Sequence, residues 1–540
     1  MNIISKLSLI WLIFLFHVTN AQYLEPSLDR APSNWFNLDF LDDKVRGIST
    51  EKAYRDILRT KKSKPVIVAI IDSGVDILHE DLCNKIWVNT KEIPNNGIDD
   101  DNNGYIDDIH GWDFLGNKAG EDIAKESLEI TREFARLQKK YQAKVDVEKL
   151  SASEKEEYNL YKKYKLAYES KVSEVKEQGT FVINLYHKFI EAKFSLCKHL
   201  GVKDITKEEL TKIGSKDTEE LKKAKRVFEL ILDLGQDEAK LREAFEYYDT
   251  QLNYGINLTY NPRDLIGDDV NNIHDRNYGN NEVKGPDAHH GTHVAGIVAA
   301  NRNNDLGIAG VADNVQIMVV RALPDGDERD KDVVNAILYA VENGAKVINM
   351  SFGKTVSPQK SAVDDAVKFA QSKGVLLIHA AGNENEDIDT KENYPTKRFL
   401  DGGEADNWIE VGATSWMQSP NTVAEFSNYG QKTVDVFAPG VDIQSTVVGS
   451  KYEDLSGTSM AAPVVSGLAA LLISYYPELD YKQIKQIILE SSIKLTQLKV
   501  ARPGSSELIE FGKLSTSGGI VNAYEAVKMA EKIKENTTKN

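Results

Sequence analysis

The chain has 540 residues, 41% of them hydrophobic and 28% charged, with a formal net charge of −17. That length exceeds one ordinary domain, and the composition allows a large core. The acidic balance excludes a general nucleic-acid binder, because phosphate contact needs a basic face. Two cysteines, Cys83 and Cys197, exclude a disulfide framework, and sequence alone does not bring them within bonding distance.

The first residues read as an export signal. Lys6 precedes the apolar run Leu7 to Val18, broken only by Ser8 and His17, and Thr19-Asn20-Ala21 supplies a cleavage site. The run is too short to span a bilayer, no Cys follows it to take a lipid, and no later stretch approaches about 18 apolar residues. Residues 1–21 are therefore expected to be a cleaved signal peptide. It would deliver a secreted or periplasmic protein with no lasting membrane anchor. Residues 22–64 form a polar, mixed segment with helical periodicity over Thr50 to Leu58, too short and too polar for a folded pro-domain.

From Pro65 the pattern changes. Val66 to Ile71 is a continuous apolar run rich in β-branched residues, as a buried parallel strand requires. Similar runs recur at Val315–Val320, Val347–Met350, Val375–Ala380, Ile409–Ala413 and Val434–Phe437. Helical patterns lie at Lys331–Glu342, Ser361–Ser372 and Ser459–Tyr475. This alternation predicts an α/β fold around a mainly parallel sheet.

Residues 119–255 differ. Lys and Glu dominate, Gly and Pro are scarce, and apolar residues fall three or four apart, as at Phe134, Leu137 and Tyr141 or Tyr158, Tyr161, Tyr164 and Tyr168. Ser151 with Glu154 and Thr206 with Glu209 have capping-box spacing, and Gly179, Gly201, Gly214 and Gly235 punctuate the helices. The segment is an all-helical insertion of several antiparallel helices. It divides an α/β domain into residues 65–118 and 256–535. Clean heptads are not sustained, so no long coiled coil is expected.

Three blocks carry chemistry. Asp72 ends the first strand, where functional groups of open parallel sheets gather. His290 stands in His289-His290-Gly291-Thr292-His293-Val294-Ala295-Gly296, ahead of a tightly packed helix. Ser459 lies in Ser456-Gly457-Thr458-Ser459-Met460-Ala461-Ala462-Pro463, at the N-terminus of an apolar helix whose N–H groups face its oxygen. Singly, each block reads as a turn, an unremarkable histidine or a helix cap.

Together, in the order Asp, His, Ser, these blocks resemble the subtilisin-like serine protease family over about residues 35–118 and 256–530. The resemblance implies a three-layer subtilisin-like fold and a secreted endopeptidase. Ser459 would be the nucleophile, His290 the general base and acid, and Asp72 the group that orients His290. His293 would be structural and His289 incidental. Ala381-Gly382-Asn383 resembles the family's oxyanion-hole segment, which implies that the Asn383 amide stabilises the tetrahedral intermediate. Ser351, Phe352 and Gly353 would pair with an extended substrate, and Ala381 and Gly382 would wall the pocket beside the scissile bond. Lys354 stands where the resemblance implies a second Gly.

No catalytic cofactor is implied, but structural calcium is. Asp81 matches a calcium ligand of the family, completed by Asn303 or Asn304 from a loop about one residue longer than usual. The run Asp99-Asp100-Asp101-Asn102-Asn103-Gly104-Tyr105-Ile106-Asp107-Asp108 has oxygen side chains at alternate positions before a Gly turn. Asp99, Asp101, Asn103 and Asp107 are its candidate ligands. His110 stands at position twelve and flanking helices are absent, so this is no EF-hand. Peptides or proteins are the expected partners. The charged insertion is assigned to gating the cleft or docking large substrates. A catalytically silent scaffold would show decay at the catalytic positions, and none has decayed.

Overall fold

The computed structural model describes residues 30–143, 145–233 and 238–539, so the expected signal peptide lies outside the described residues. The chain divides at Pro32 into two compact units, and the second, Ser33–Asn540, holds the sheet, the insertion and the candidate site residues. Its strands are β1 (Val66–Asp72), β2 (Gly111–Asp113), β3 (Val315–Arg321), β4 (Val347–Met350), β5 (Leu376–Ala380), β6 (Trp408–Thr414), β7 (Val436–Pro439), β8 (Ile443–Val447), β9 (Lys451–Leu455), β10 (Ile493–Lys494), β11 (Lys499–Ala501), β12 (Leu508–Glu510) and β13 (Gly519–Ile520).

The sheet runs β10–β13–β7–β6–β5–β4–β1–β3–β2, and every pair from β7 to β2 is parallel. β1 is an interior strand between β4 and β3, and its two faces are both apolar. Ala69 and Ile71 join Met318, Val320, Ile348 and Met350 under the helices Asp330–Glu342 and Lys360–Ser372. The opposite face is covered by the helices His289–Ala299 and Thr458–Tyr475. Three layers result, with helices on both faces of a parallel sheet. Register sets the site: Ile71 pairs with Met350 and Met350 with His379, so the chain leaves β1, β4 and β5 side by side at one edge.

The sequence expectations need several corrections. The last predicted strand is displaced, because Val434 N–H turns back to Gly430 O at 3.1 Å and β7 begins only at Val436. Thr458–Tyr475 does reach membrane-spanning length and hydropathy, yet 89% of it is buried as the central core helix. The N-terminal segment is not merely polar: Trp35 and Phe36 are fully buried, and the Trp35 indole donates to Val441 O at 3.1 Å. Cys83 and Cys197 are both free.

The insertion contains the helices Glu129–Tyr141, Ala152–Leu200, Glu219–Asp233 and Glu238–Thr250, with a short turn of helix at Lys207–Thr211. Ser151 and Glu154 form the expected capping box, and Thr206 caps Glu209 N. Gly179 does not punctuate; it lies inside the 49-residue helix, against Tyr248 and Leu252, where a side chain would crowd them. That helix is about 73 Å long at 1.5 Å per residue. Its far end packs a cluster of Phe189, Leu196, Phe228, Ile231 and Leu241, and its near end a second of Phe134, Leu137, Tyr141, Tyr161 and Tyr164.

The root of the insertion is ionic. Buried Glu126 accepts from Arg329 Nε at 2.8 Å and has Arg132 and Arg263 within 4 Å. Burial opposes its charge, but the three guanidinium groups hold it below the usual carboxylate range. Asp332 takes Arg263 as well.

Candidate active site

The edge formed by β1, β4 and β5 gathers the catalytic candidates. Asp72 ends β1, and its Oδ1 takes the Ser73 N–H at 2.7 Å and lies 2.8 Å from His290 Nδ1. A carboxylate only accepts, so Nδ1 carries the proton and Nε2 is left as the basic nitrogen. Burial disfavours the His290 imidazolium, but the charge and hydrogen bond of Asp72, with Asp287 behind, outweigh it and raise His290 above the usual imidazole range. Gly291 makes this approach possible, since any Cβ there would strike the Gly74 carbonyl and Asp72.

Ser459 is the second residue of its helix. The helix contains Pro463, which has no N–H to donate to the carbonyl four residues back, that of Ser459. The Ser351 hydroxyl donates to that carbonyl instead, at 2.9 Å. In return the Ser459 hydroxyl donates to Ser351 O at 3.2 Å. Behind them Ser466, Asn349 and Ser351 form a buried hydrogen-bonded row. Among the described residues no hydrogen bond joins Ser459 to His290; such contacts often close only around substrate.

Asn383 follows β5. Its Oδ1 accepts from Thr458 N at 2.8 Å and from Thr458 Oγ1 at 2.9 Å. A backbone N–H can only donate, so the amide orientation is determined and Nδ2 is free to donate beside Ser459. Gly382 has φ +101°, and a Cβ there would strike Asn428 and Glu384. The Ala381 carbonyl is taken by Asn393 Nδ2 at 3.0 Å and Asn428 Nδ2 at 2.9 Å. Asn428 Oδ1 takes the N–H groups of Glu384 and Glu386, at 3.1 and 2.8 Å. Sequence reasoning missed Asn393 and Asn428, and no spacing or periodicity marks them.

Of the substrate candidates, Ser351 is engaged with Ser459, and Phe352 O accepts from His379 Nε2 at 2.8 Å. Gly353 is exposed, and a Cβ there would meet Asn393. Lys354 is buried beneath this edge. His293 is enclosed, with Nε2 3.1 Å from Glu453 O, and burial pushes it down to about 3, so it stays neutral. His289 faces solvent beside Glu453.

The metal candidates divide. Fully buried Asp81 accepts from Asn301 N, Ile308 N and the Asn304 amide, the last at 2.7 Å, while Asn303 is exposed. Asp99 and Asp101 have carboxylate oxygens within 4.8 Å of each other and of Glu92, which the sequence did not single out. Asn103 turns to Tyr105 N and Asp108, and Asp107 to the N–H groups of Asn96 and Gly97. Asp108, which closes the acidic run but was not among its candidate ligands, is raised to about 6 by burial despite bonds from Tyr339, Asn89 and Asn103.

Comparison with known proteins identifies the family. The model of the subtilase family (peptidase S8) matches residues 63–512, and the chain belongs to that family. It is similar to a thermophilic serine proteinase of Bacillus sp. (strain AK1), 39% identical over 239 residues, 44% of this chain and 52% of that one. It is also similar to thermitase of Thermoactinomyces vulgaris, at 40% over 240 residues, 44% of this chain and 75% of the other. Subtilisin BL of Lederbergia lenta is 36% identical over 241 residues, 44% of this chain and 77% of its own. The chain spans about half the length of the first of these relatives.

Proposed function

We propose that the chain is an exported serine endopeptidase that cleaves peptide bonds through an acyl-enzyme on Ser459. The observation that carries this reading is the His290 Nδ1–Asp72 Oδ1 contact of 2.8 Å beside a Ser459 whose neighbour Thr458 orients the Asn383 amide. His290 Nε2 takes the Ser459 proton as Oγ attacks the carbonyl, then delivers it to the leaving amine. Asp72 holds the tautomer and stabilises the imidazolium. Asn383 Nδ2 donates to the oxyanion as charge develops. Ser351, Phe352 and Gly353 pair with the extended substrate, and Ala381 and Gly382 line the wall next to the reacting carbonyl. The apolar run before Ala21 supports export. The distal helices of the insertion are assigned to large protein substrates.

Calcium fits two places. Asp81 with Asn304 offers a fully buried carboxylate beside an amide, and Glu92 with Asp99 and Asp101 crowds three carboxylates that a cation would relieve. The ion would supply charge neutralisation and stability, and no step of the reaction passes through it. A fluorophosphonate probe should label the protein at Ser459 by peptide mapping. Ser459→Ala should abolish labelling and lower turnover on the order of a million-fold. Labelling elsewhere, or normal turnover by the variant, would refute the reading.

A further inference from the structure

The insertion grips the chain just beyond Ser351-Phe352-Gly353. Lys354 is 4% exposed, and its ammonium lies 2.8 Å from Glu129 Oε2 and 2.8 Å from Asp330 Oδ1, while donating to Glu328 O at 2.7 Å. Three acceptors match the three N–H bonds of an ammonium, which is what a buried lysine needs to remain charged. Glu129 opens the first helix of the insertion. Two residues further, Val356 is buried among Phe134, Leu137, Tyr141, Tyr161 and Tyr164, the near cluster of the insertion. Ser357 Oγ and Gln359 N both donate to Asp330 Oδ2, at 3.0 and 2.7 Å.

The segment is thus held at both ends. Ser351 is bonded to Ser459 and Phe352 O to His379, and Lys354 exchanges two backbone hydrogen bonds with Tyr394. Downstream, Glu129 holds Lys354, and Phe134, Leu137, Tyr141, Tyr161 and Tyr164 enclose Val356. An edge that must pair with a peptide binds it more tightly when its shape is set beforehand, since less ordering remains to be done on binding. We propose that the insertion is a positioning element for substrate, in which Lys354 and Val356 hold Ser351–Gly353 in the conformation that an extended peptide pairs with. This rests on the protease reading above. It adds that substrate residues upstream of the scissile bond are read through the root of the insertion.

The test compares two substrates of the full chain: a tetrapeptide amide that reaches along Ser351–Gly353, and an N-acyl amino-acid ester that does not. Because buried Asp330 and Glu328 would lose the cation beside them, Lys354→Met, which keeps the stem and leaves Glu129 with Arg132 at 2.7 Å, is read alongside its melting curve. The variant should raise KM for the tetrapeptide about tenfold while ester turnover stays within roughly twofold. Val356→Ala leaves every charge in place and should act in the same direction, which keeps the test open if Lys354→Met fails to fold. Equal loss on both substrates, or no change on either, would overturn the proposal. A wild-type chain inert toward both substrates would overturn the protease reading itself.

Discussion

The α/β body and the helical insertion secure their polar groups by different means. In the body, Asp72, Asn383 and Ser459 are each held by uncharged hydrogen-bond donors: the Ser73 N–H for Asp72, Thr458 for Asn383, and the Ser351 hydroxyl for the Ser459 carbonyl. In the insertion, apolar stripes pack on one another. Its decisive polar pairs reach across the chain, Glu129 to Lys354 over 225 residues and Glu126 to Arg329 over 203. These catalytic candidates are fixed by neutral hydrogen bonds, whereas the insertion is attached by buried ion pairs, and in both regions most partners are brought together only by the fold.

Cutting the insertion at two depths tests that difference most severely. Replacing residues 119–255 by a Gly/Ser linker would strip Glu126 and Glu129 from Arg329, Arg263 and Lys354. Breaking a buried pair costs about 3–5 kcal/mol, against a total stability of about 5–15 kcal/mol. The protein should then fail to fold, as judged by circular dichroism and a melting curve. Replacing only residues 183–246 removes the far cluster, which packs on itself, and the join falls near the Tyr248–Gln178 hydrogen bond. That variant should fold and hydrolyse small esters normally, with its rate changed only on folded proteins. If both cuts fold equally well, the ionic root is dispensable and the contrast between the regions fails.

Asn383→Ala should lower kcat roughly a hundred- to a thousand-fold with little change in KM, because its amide acts on charge that develops only in the transition state. A pure KM defect would assign Asn383 to substrate binding instead. Its melting temperature should fall only modestly, since Asn383 is exposed although its Oδ1 holds the N–H and hydroxyl of buried Thr458.

Chelation should lower the melting temperature more than it lowers activity at room temperature, because a bound ion stabilises only the folded state, by about 4 kcal/mol at a thousandfold excess over Kd. Asp81→Asn and Glu92→Gln should each remove part of that response. Superimposable melting curves with calcium and with chelator would remove both sites.

The smallest effect is in pH. His290 is raised above its ordinary value near 6.5 by Asp72, so the acid limb of kcat/KM should have its midpoint above about 6.5. Stability follows the opposite course. A raised folded value contributes stability that is full below the unfolded value and lost as pH rises through the folded one. Activity should therefore climb across the window in which this contribution fades. Asp72→Asn should move the midpoint down, and an unmoved midpoint would separate the limb from His290.

Much of the body was legible because its signals are local. β-branched runs marked β1 and β3 to β6, and contiguous blocks marked Asp72, His290, Asn383 and Ser459. What escaped is non-local. Asn428 and Asn393 stand outside regular structure with no pattern of their own, yet between them bind the Ala381 carbonyl and the chain around Asn383. Glu92 lies seven residues before Asp99, outside the acidic run it faces. Gly179 looked like a helix break because glycine is a poor helix former, but packing against Tyr248 and Leu252 overrides that preference. Lys354 read as a change at the cleft rim, and the fold buries it because Glu129 and Asp330 are there to receive it.

Pro463 has a consequence beyond its own helix. By withholding one hydrogen bond it leaves the Ser459 carbonyl dependent on the Ser351 hydroxyl, and the Ser459 hydroxyl answers to the Ser351 carbonyl. Ser459 and Ser351 are therefore tied to each other by a reciprocal pair of hydrogen bonds. A peptide N–H that pairs with the Ser351 carbonyl would compete with the Ser459 hydroxyl for it, and would leave that hydroxyl to seek another acceptor.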